Sequence, residues 1–389
     1  MNEQKKRLFG NDIRQSGMIF ALVFIILFFG IVTQGVMFRP MNVSNVFMQN
    51  SYVIFLAIGM FFCILTGNVD LSVGSVVAVS GALMGYMTIN QGIPTSVAVI
   101  VTLIVGLAIG IFQGFFIAFL NVPPFIVTLA GMLIFRGATQ VILQGQSLSP
   151  FSEGFQYFAS GFLLSDIKIG ELNLLCVLVL IIGAGLLVFS ELKKRKNRIE
   201  YGFDVPAVSL VVVKLTAIIV AMAAVLISLG AYRGMPFILF ILIFVTAFYT
   251  FVSNRTRLGR HIYAVGGNRK AAQLSGVRTK MVMFLVYVNC AFMATIAGLV
   301  VTGRLNVATA KAGTSYELDA IAACYIGGCS ASGGSGTIIG AIVGAAVMGV
   351  LNNGMSILGI GTDMQQVIKG LILLLAVTFD IYSKSKSGK

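Results

Sequence analysis

The sequence predicts an all-α protein, a bundle of helices that cross a membrane many times. Of its 389 residues, 58% are hydrophobic and 10% are charged, against about 25% charged residues in a typical soluble domain. Residues 71–135 contain no Asp, Glu, Lys or Arg, and two short turns, 90–94 and 121–124, interrupt them. A bilayer helix needs about 20 apolar residues, and several segments reach that length.

The first apolar run, residues 18–38, follows Lys5, Lys6 and Arg7, as a secretory signal would. The run is too long for a typical signal, and no small-x-small cleavage site follows it, so we predict an uncleaved helix. In chain order, the further apolar runs predict spans at 46–66, 72–89, 95–120, 125–143, 172–190, 208–230, 235–253 and 281–303.

Beyond Arg304 the helical pattern weakens, because glycines interrupt the charge-free residues 320–362. We expect glycine-interrupted or re-entrant segments in this region. Gly67 stands seven residues before Gly74, and Gly327 stands seven before Gly334. This echo fits the interrupted helices of a transporter repeat, although glycine-rich spans also coincide by chance.

The basic residues, which give a formal net charge of +14, set the predicted topology. They cluster before the first span, at 193–198, at 255–280 and at the C-terminus. Short basic loops stay in the cytoplasm, so both termini should be cytoplasmic and the crossings even in number, ten or alternatively twelve. We divide the chain into a cytoplasmic segment (1–17), a permease domain (18–382) with a cytoplasmic loop (254–280), and a basic tail (383–389).

Several function classes find no support in the sequence. There is no G-x-x-x-x-G-K-[ST] loop for nucleotide phosphates, and one histidine, His261, leaves a Ser-His-Asp or Cys-His arrangement without a site. The five cysteines lack metal-ligand spacing and lie in apolar segments. We therefore expect no catalytic residue, no metal, no cofactor and no nucleic-acid partner. The composition predicts movement of a solute and not a reaction.

The loop at 254–280 predicts a short capped helix. Asn268 is a suitable N-cap, Ala271 to Leu274 favour helix, and Gly276 can adopt the left-handed conformation that ends one. Two helical turns are marginal alone, so we expect a partner protein to pack on them. The alternative is a solvated basic loop that only sets the topology.

Four sequence stretches, in order, resemble the membrane-spanning permeases of bacterial ABC importers for monosaccharides, of the ribose, xylose, arabinose and galactose type. The resemblance runs nearly end to end and is nearest to the xylose and multiple-monosaccharide permeases. The stretches that carry it are Thr66–Ser75, Val122–Met132, Gly266–Gly276 and Glu317–Ala323.

The resemblance implies a subunit of the bacterial plasma membrane that works as a homodimer. Its partners would be a cytoplasmic ATPase subunit, which binds the ATP, and an outer sugar-binding protein. In importer permeases a Glu-Ala-Ala-x-x-x-Gly loop docks on the ATPase, and here Lys270 replaces the acid. The implied coupling residues are Arg257, Gly259, Arg260, Gly266, Gly267, Asn268, Lys270, Ala271, Ala272, Leu274 and Gly276.

Other functions remain open on the sequence. A branched-chain amino-acid ABC permease shares much of this layout, an ion-coupled secondary carrier would need no ATPase, and a membrane scaffold would transport nothing. The substrate could be xylose or another pentose or hexose.

Polar residues within apolar segments are candidates for the substrate path or its gate, because buried charges cost free energy in a bilayer. Asn68 and Asp70 could line the route, or Asp70 could cap the helix that begins near Ser72. Arg136 could pair with an acid or extend to the interface.

Four more candidates lie toward the C-terminus. Parity places Glu317 and Asp319 on the outer side, where they could meet a binding protein or cap a re-entrant helix. Asn352 and Asn353 could bind sugar hydroxyls or simply end a span.

Overall fold

A computed structural model describes residues 3–203, 205 and 207–386, with side chains from residue 17 to residue 378 within those ranges. It is helical through most of its length, as the sequence predicts. The helices are α1 (Glu3–Val32), α2 (Pro40–Leu65), α3 (Val73–Gly85), α4 (Thr95–Ala118), α5 (Pro124–Leu143), α6 (Glu153–Ser160), α7 (Leu174–Glu200), α8 (Val208–Tyr232), α9 (Phe237–Arg255), α10 (Arg257–Gly267), α11 (Arg269–Leu274), α12 (Thr279–Leu305), α13 (Tyr316–Ile326), α14 (Ile338–Ile357) and α15 (Thr362–Lys386).

Nine helical segments within the described residues are long and apolar enough to cross a bilayer. Eight coincide with predicted spans, and α14 is the ninth. The predicted span at 18–38 corresponds to the apolar part of α1, Gly17–Val32. This helix ends earlier than predicted, because Gln34 and Gly35 adopt positive φ angles of 52° and 82° and turn the chain. The prediction of a polytopic all-α fold is confirmed.

Two small antiparallel pairs of strands add to the helices. They are β1 (Phe162–Leu163) with β4 (Met235–Pro236), and β2 (Lys168–Ile169) with β3 (Leu172–Asn173). The first pair joins the segment before α7 to the turn between α8 and α9. Asn173 begins α7 as its N-cap, since its side chain accepts hydrogen bonds from the backbone N–H groups of Leu175 and Cys176. Short polar connections thus fix the ends of the long apolar helices.

The core lies around α2, most of which is buried, and α2 packs against α12, α13 and α14. Helix α7 packs chiefly on α8, which also packs on α2, and both helices leave most of their apolar surface exposed. Such exposure is expected of helices that face lipid, because lipid tails solvate apolar side chains. The chain therefore has a packed centre and an apolar hairpin at its edge.

Helices α4 and α12 approach closely because α4 presents Gly106, Gly110 and Gly114 at spacings of four residues. A Cβ atom on Gly110 would stand 2.7 Å from the Cα of Val288 in α12, and one on Gly106 would stand 2.0 Å from the hydroxyl oxygen of Thr295. Small residues at this spacing let membrane helices pack backbone to backbone.

The glycine-rich region after Arg304 forms three helices, with the 11-residue α13 too short to cross a bilayer alone. Residues 327–337 form an irregular segment between α13 and α14, which we call the glycine loop. It contacts the end of α2, where the Gly334 N–H donates to the Leu65 carbonyl at 2.9 Å, and the segment that follows, since a Cβ atom on Gly333 would stand 2.9 Å from the Gly67 nitrogen. The two regions of the sequence echo therefore meet in the fold.

Candidate functional site

The predicted surface helix is present as α11, with both predicted ends. The side-chain oxygen of Asn268 accepts a hydrogen bond from the Ala271 N–H at 3.0 Å. At the other end Gly276 has φ +83°, its N–H donates to Gln273, and the Val277 N–H donates to Ala272. These two bonds are the Schellman arrangement that closes a helix.

Helix α11 has one inner and one outer face. Ala272 is 5% exposed and packs into the core, whereas Leu274 is 90% exposed. Lys270 and Ala271 are also exposed. A partner protein would therefore meet Leu274 and not Ala272.

The other coupling candidates lie in or beside α10. Those exposed are Arg257, Arg260, Gly267, Asn268 and Gly276, whereas Gly259 is buried and Gly266 is partly buried. The Thr256 side chain starts α10 by accepting a hydrogen bond from the Gly259 N–H.

Helix α10 contacts the glycine loop. The hydroxyl of Tyr263 donates a hydrogen bond to the carbonyl oxygen of Gly336 at 2.8 Å. Burial raises the pKa of the Tyr263 phenol, so the hydroxyl keeps its proton and remains a donor at neutral pH. The surface helices thereby join the interior of the bundle.

A cavity of about 190 Å³ lies between the glycine loop and the first turns of α5. Its walls are Ile64, Gly67, Asn68, Val69, Pro124, Phe125, Tyr325 and Ala331. The Asn68 amide donates to the Thr66 carbonyl at 3.0 Å while its residue borders the cavity. Of the path candidates, Asn68 alone lines it.

Asp70 lies fully buried just before α3. Its Oδ1 accepts hydrogen bonds from the backbone N–H of Ser72 at 2.9 Å and from the Ser72 hydroxyl at 2.6 Å. The Gln113 amide in turn donates to the Ser72 hydroxyl oxygen at 2.8 Å. These bonds hold the turn that leads into α3, whose N-cap residue is Ser72 and has no side-chain capping bond; the capping and gate interpretations of Asp70 both stay predictions.

Arg136 bonds to the backbone before α13, and whether it also pairs with an acid or extends to the interface stays a prediction. Its guanidinium donates hydrogen bonds to the backbone carbonyls of Ala310, Ala312 and Gly313, at 3.0, 2.7 and 3.3 Å. A guanidinium suits this task because it presents several donors in one plane. Arg136 therefore holds the segment that leads into α13.

Asp319 is fully buried, so in this conformation its side chain does not face a binding protein; the membrane side on which Glu317 and Asp319 lie, and the capping of a re-entrant helix, stay predictions. Residues 306–315 lead from α12 into the short helix α13, which packs inside the bundle. Glu317 and Asp319 occupy the first turn of α13. Acidic groups there are stabilised by the helix dipole.

The partner of Asp319 is a residue that the sequence analysis missed. Lys369 of α15 places its ammonium 2.9 Å from one carboxylate oxygen of Asp319, and the Tyr52 hydroxyl donates to the other at 2.9 Å. The available signal was a lone lysine in the apolar run that follows Thr362.

Asn352 and Asn353 lie in α14, about one turn before it ends at Ile357, and both of their predicted roles stay predictions. Asn353 exchanges side-chain hydrogen bonds with Asn42 of α2, at 2.9 and 3.1 Å. In this conformation the two side-chain amides bond to each other, so fewer of their donor and acceptor groups are free to bind a sugar. The path candidates thus do not all line one pocket.

A polytopic helix bundle with polar groups inside it and a capped helix on its surface is typical of membrane permeases. Residues 42–377 match the family described as the permease component of branched-chain amino acid transport systems. The chain belongs to this family, which makes it a multi-pass protein of the bacterial inner membrane.

Named relatives extend the comparison along nearly the whole chain. The xylose transport system permease protein of Escherichia coli is 40% identical over 375 residues, covering 95% of this chain and 92% of that relative. The Haemophilus influenzae protein of the same name is 37% identical, covering 95% and 96%. The ribose import permease protein of Bacillus subtilis is 33% identical, covering 97% and 96%. No solved structure matches. The predicted resemblance to monosaccharide permeases is confirmed.

Proposed function

We propose that this chain is the permease subunit of an ATP-driven importer that carries xylose or another pentose or hexose. The observation that carries the proposal is the capped helix α11, which is joined to the bundle through Ala272 and exposes Leu274. The names of the relatives support a sugar as the substrate.

The ATP would be bound and hydrolysed by a separate subunit that docks on α11. Leu274 offers an apolar anchor, and Lys270 offers a cation where importer permeases carry an acid. The docking cleft of the ATPase should therefore hold an apolar pocket beside an acidic group. No residue of this chain is assigned to the hydrolysis.

Transport would proceed by alternating access in a pair of such chains, with an outer binding protein delivering the sugar. Asn68 and the cavity that it borders form the candidate inner end of the route. Rigid movement of packed helices is the ordinary way in which such bundles open and close.

One alternative has specific support, since the family description names branched-chain amino acids. The transport of labelled xylose, ribose and leucine should be compared in cells with the gene deleted and then restored. We expect deletion to abolish uptake of a sugar and restoration to return it.

Each other outcome identifies a rival function. Loss of leucine uptake alone would favour the amino-acid permease, and no loss at all would favour a scaffold. Sugar uptake that stops with an uncoupler while cellular ATP is held constant would favour an ion-coupled carrier.

A further inference from the structure

The contact between Tyr263 and Gly336 joins two parts of the chain that are distant in sequence. Tyr263 belongs to α10, next to the helix proposed to dock on the ATPase, and Gly336 belongs to the glycine loop. The Tyr263 hydroxyl also lies 3.3 Å from the Ser253 hydroxyl, near the end of α9. The Tyr263 side chain of α10 therefore contacts both the end of α9 and the glycine loop.

A second contact fixes the same two parts three residues later. A Cβ atom built on Gly266 would stand 1.8 Å from the Leu65 carbonyl oxygen and 2.8 Å from the Gly334 nitrogen. The backbone of α10 therefore touches the end of α2 and the glycine loop at once. Gly267, the adjacent residue, has no atom within 4 Å of its Cβ position.

The glycine loop is shaped by its backbone more than by side-chain packing. Gly333 and Gly334 have φ angles of +80° and +73°, which L residues with side chains rarely adopt. Within the loop the Ser330 N–H donates to the Ser335 carbonyl and the Gly333 N–H to the Ser330 carbonyl, and further bonds join the loop to its neighbours. Two of these are the Tyr263 bond at Gly336 and the Leu65 bond at Gly334.

The glycine loop also forms a wall of the cavity that Asn68 borders, which we call the inner cavity. Tyr325 at the end of α13 and Ala331 of the glycine loop line it, opposite Asn68 and Phe125. A displacement of the glycine loop would change the width of this cavity. The hydrogen bond from Tyr263 to Gly336 thus links α10 directly to the loop that lines the candidate sugar route.

We infer that Tyr263 is a positioning residue that transmits movement of α10 and α11 to the glycine loop, and so couples events at the ATPase to the opening of the inner cavity. The inference rests on the proposed function. It assigns Tyr263 a task separate from docking, because Leu274 and not Tyr263 faces outward.

The test is Tyr263→Phe, which removes the hydroxyl and keeps the ring. The complex of this chain with its ATPase, reconstituted in proteoliposomes with the binding protein, is assayed for ATP hydrolysis and for labelled xylose uptake. We expect the ATPase to co-purify in the same ratio and the ATP hydrolysed per sugar to rise at least five-fold. Wild-type coupling in Tyr263→Phe, or loss of the ATPase from the complex, would overturn the inference.

Tyr201→Phe is the matched control, because Tyr201 is 73% exposed at the end of α7. The pair Gly266→Ala and Gly185→Ala gives an independent test, since only the first added methyl group meets the Leu65 carbonyl, whereas nothing lies within 4 Å of the Cβ position of Gly185 in α7. We expect Gly266→Ala to raise the ATP cost per sugar and Gly185→Ala to leave it unchanged. An equal ATP cost per sugar in the two variants would count against transmission from α10 to the glycine loop. Failure of the wild-type complex to transport any sugar would instead refute the proposed function.

Discussion

The carboxylate of Asp319 and the ammonium of Lys369 form an ion pair at 2.9 Å inside the helix bundle, with side-chain exposures of 1% and 15%. The pair joins α13 to α15, and the Tyr52 hydroxyl adds α2 to the same carboxylate. Desolvation of two charges is costly, so a buried pair is weak evidence for stability in itself. Removal of one partner alone is destabilising, because it leaves the other charge buried without a counter-charge.

Loss of the Lys369 ammonium should therefore destabilise the protein strongly. Lys369→Met is expected to lower the free energy of unfolding by about 3–5 kcal/mol, measured as thermal unfolding in detergent. The double variant Asp319→Asn with Lys369→Met should recover most of that loss. Lys214→Met is the control, since the exposed pair of Lys214 with Glu191 should be worth about 0–1 kcal/mol. Equal effects of Lys369→Met and Lys214→Met would contradict the pairing.

The bonds from Ser72 to Asp70 predict that Asp70 caps the start of α3 as a local structural group whose charge is not essential. Asp70→Asn keeps an acceptor oxygen for the Ser72 N–H and should leave sugar uptake near wild type. Asp70→Ala removes the acceptor and should cost about 1 kcal/mol of stability, measured as thermal unfolding in detergent. If Asp70→Asn folds normally but abolishes uptake, the carboxylate acts in the gate and the capping account is insufficient.

The exposure of Leu274 predicts that it anchors the ATPase. Leu274→Asp should weaken the complex by about 2 kcal/mol or more, as for a truncated hot spot, with unchanged thermal stability of the isolated chain. Binding can be measured by co-purification at graded ATPase concentrations. Leu164→Asp is the control, because Leu164 is exposed in the connection before α7. A complex of wild-type affinity with Leu274→Asp would place docking elsewhere.

The caps of α11 predict that this helix is locally fragile. Asn268→Ala should destabilise α11 by about 0.5–2 kcal/mol, and Gly276→Ala by about 1–2 kcal/mol, since it forces alanine to a left-handed φ. Hydrogen exchange of residues 269–277 should accelerate in both variants. Gln273→Ala, at an exposed position, should exchange as the wild type does. Unchanged exchange in both cap variants would mean that packing alone holds the helix.

Much of the fold follows from local sequence. Apolar length predicts eight of the nine described spans, because each bilayer helix satisfies its own backbone, and Asn268 with Gly276 predicts both ends of α11. The position of α13 did not follow. Arg136 holds residues 306–315 against the bundle through bonds to their backbone carbonyls. The local sequence does not predict a bond between a side chain and a backbone more than 170 residues away.

The partner of a buried charge is also a property of the fold and not of the local sequence. Asp319 and Lys369 are 50 residues apart, so each reads singly as an isolated polar residue in an apolar region. Asn353 and Asn42 pair in the same way, across 311 residues. The sequence analysis identified one member of each pair, Asp319 and Asn353, whereas the three-dimensional fold identifies what each one touches.

The central claim is that this chain moves a sugar with energy supplied at α11 by another subunit. The most direct measurement is uptake of labelled xylose and ribose by proteoliposomes that contain the wild-type complex with its ATPase and binding protein, with and without ATP on the ATPase side. The account predicts accumulation of one of these sugars that requires ATP, resists an excess of unlabelled leucine and is lost with Leu274→Asp. ATP-independent uptake, or transport of leucine and not of sugar, would contradict it.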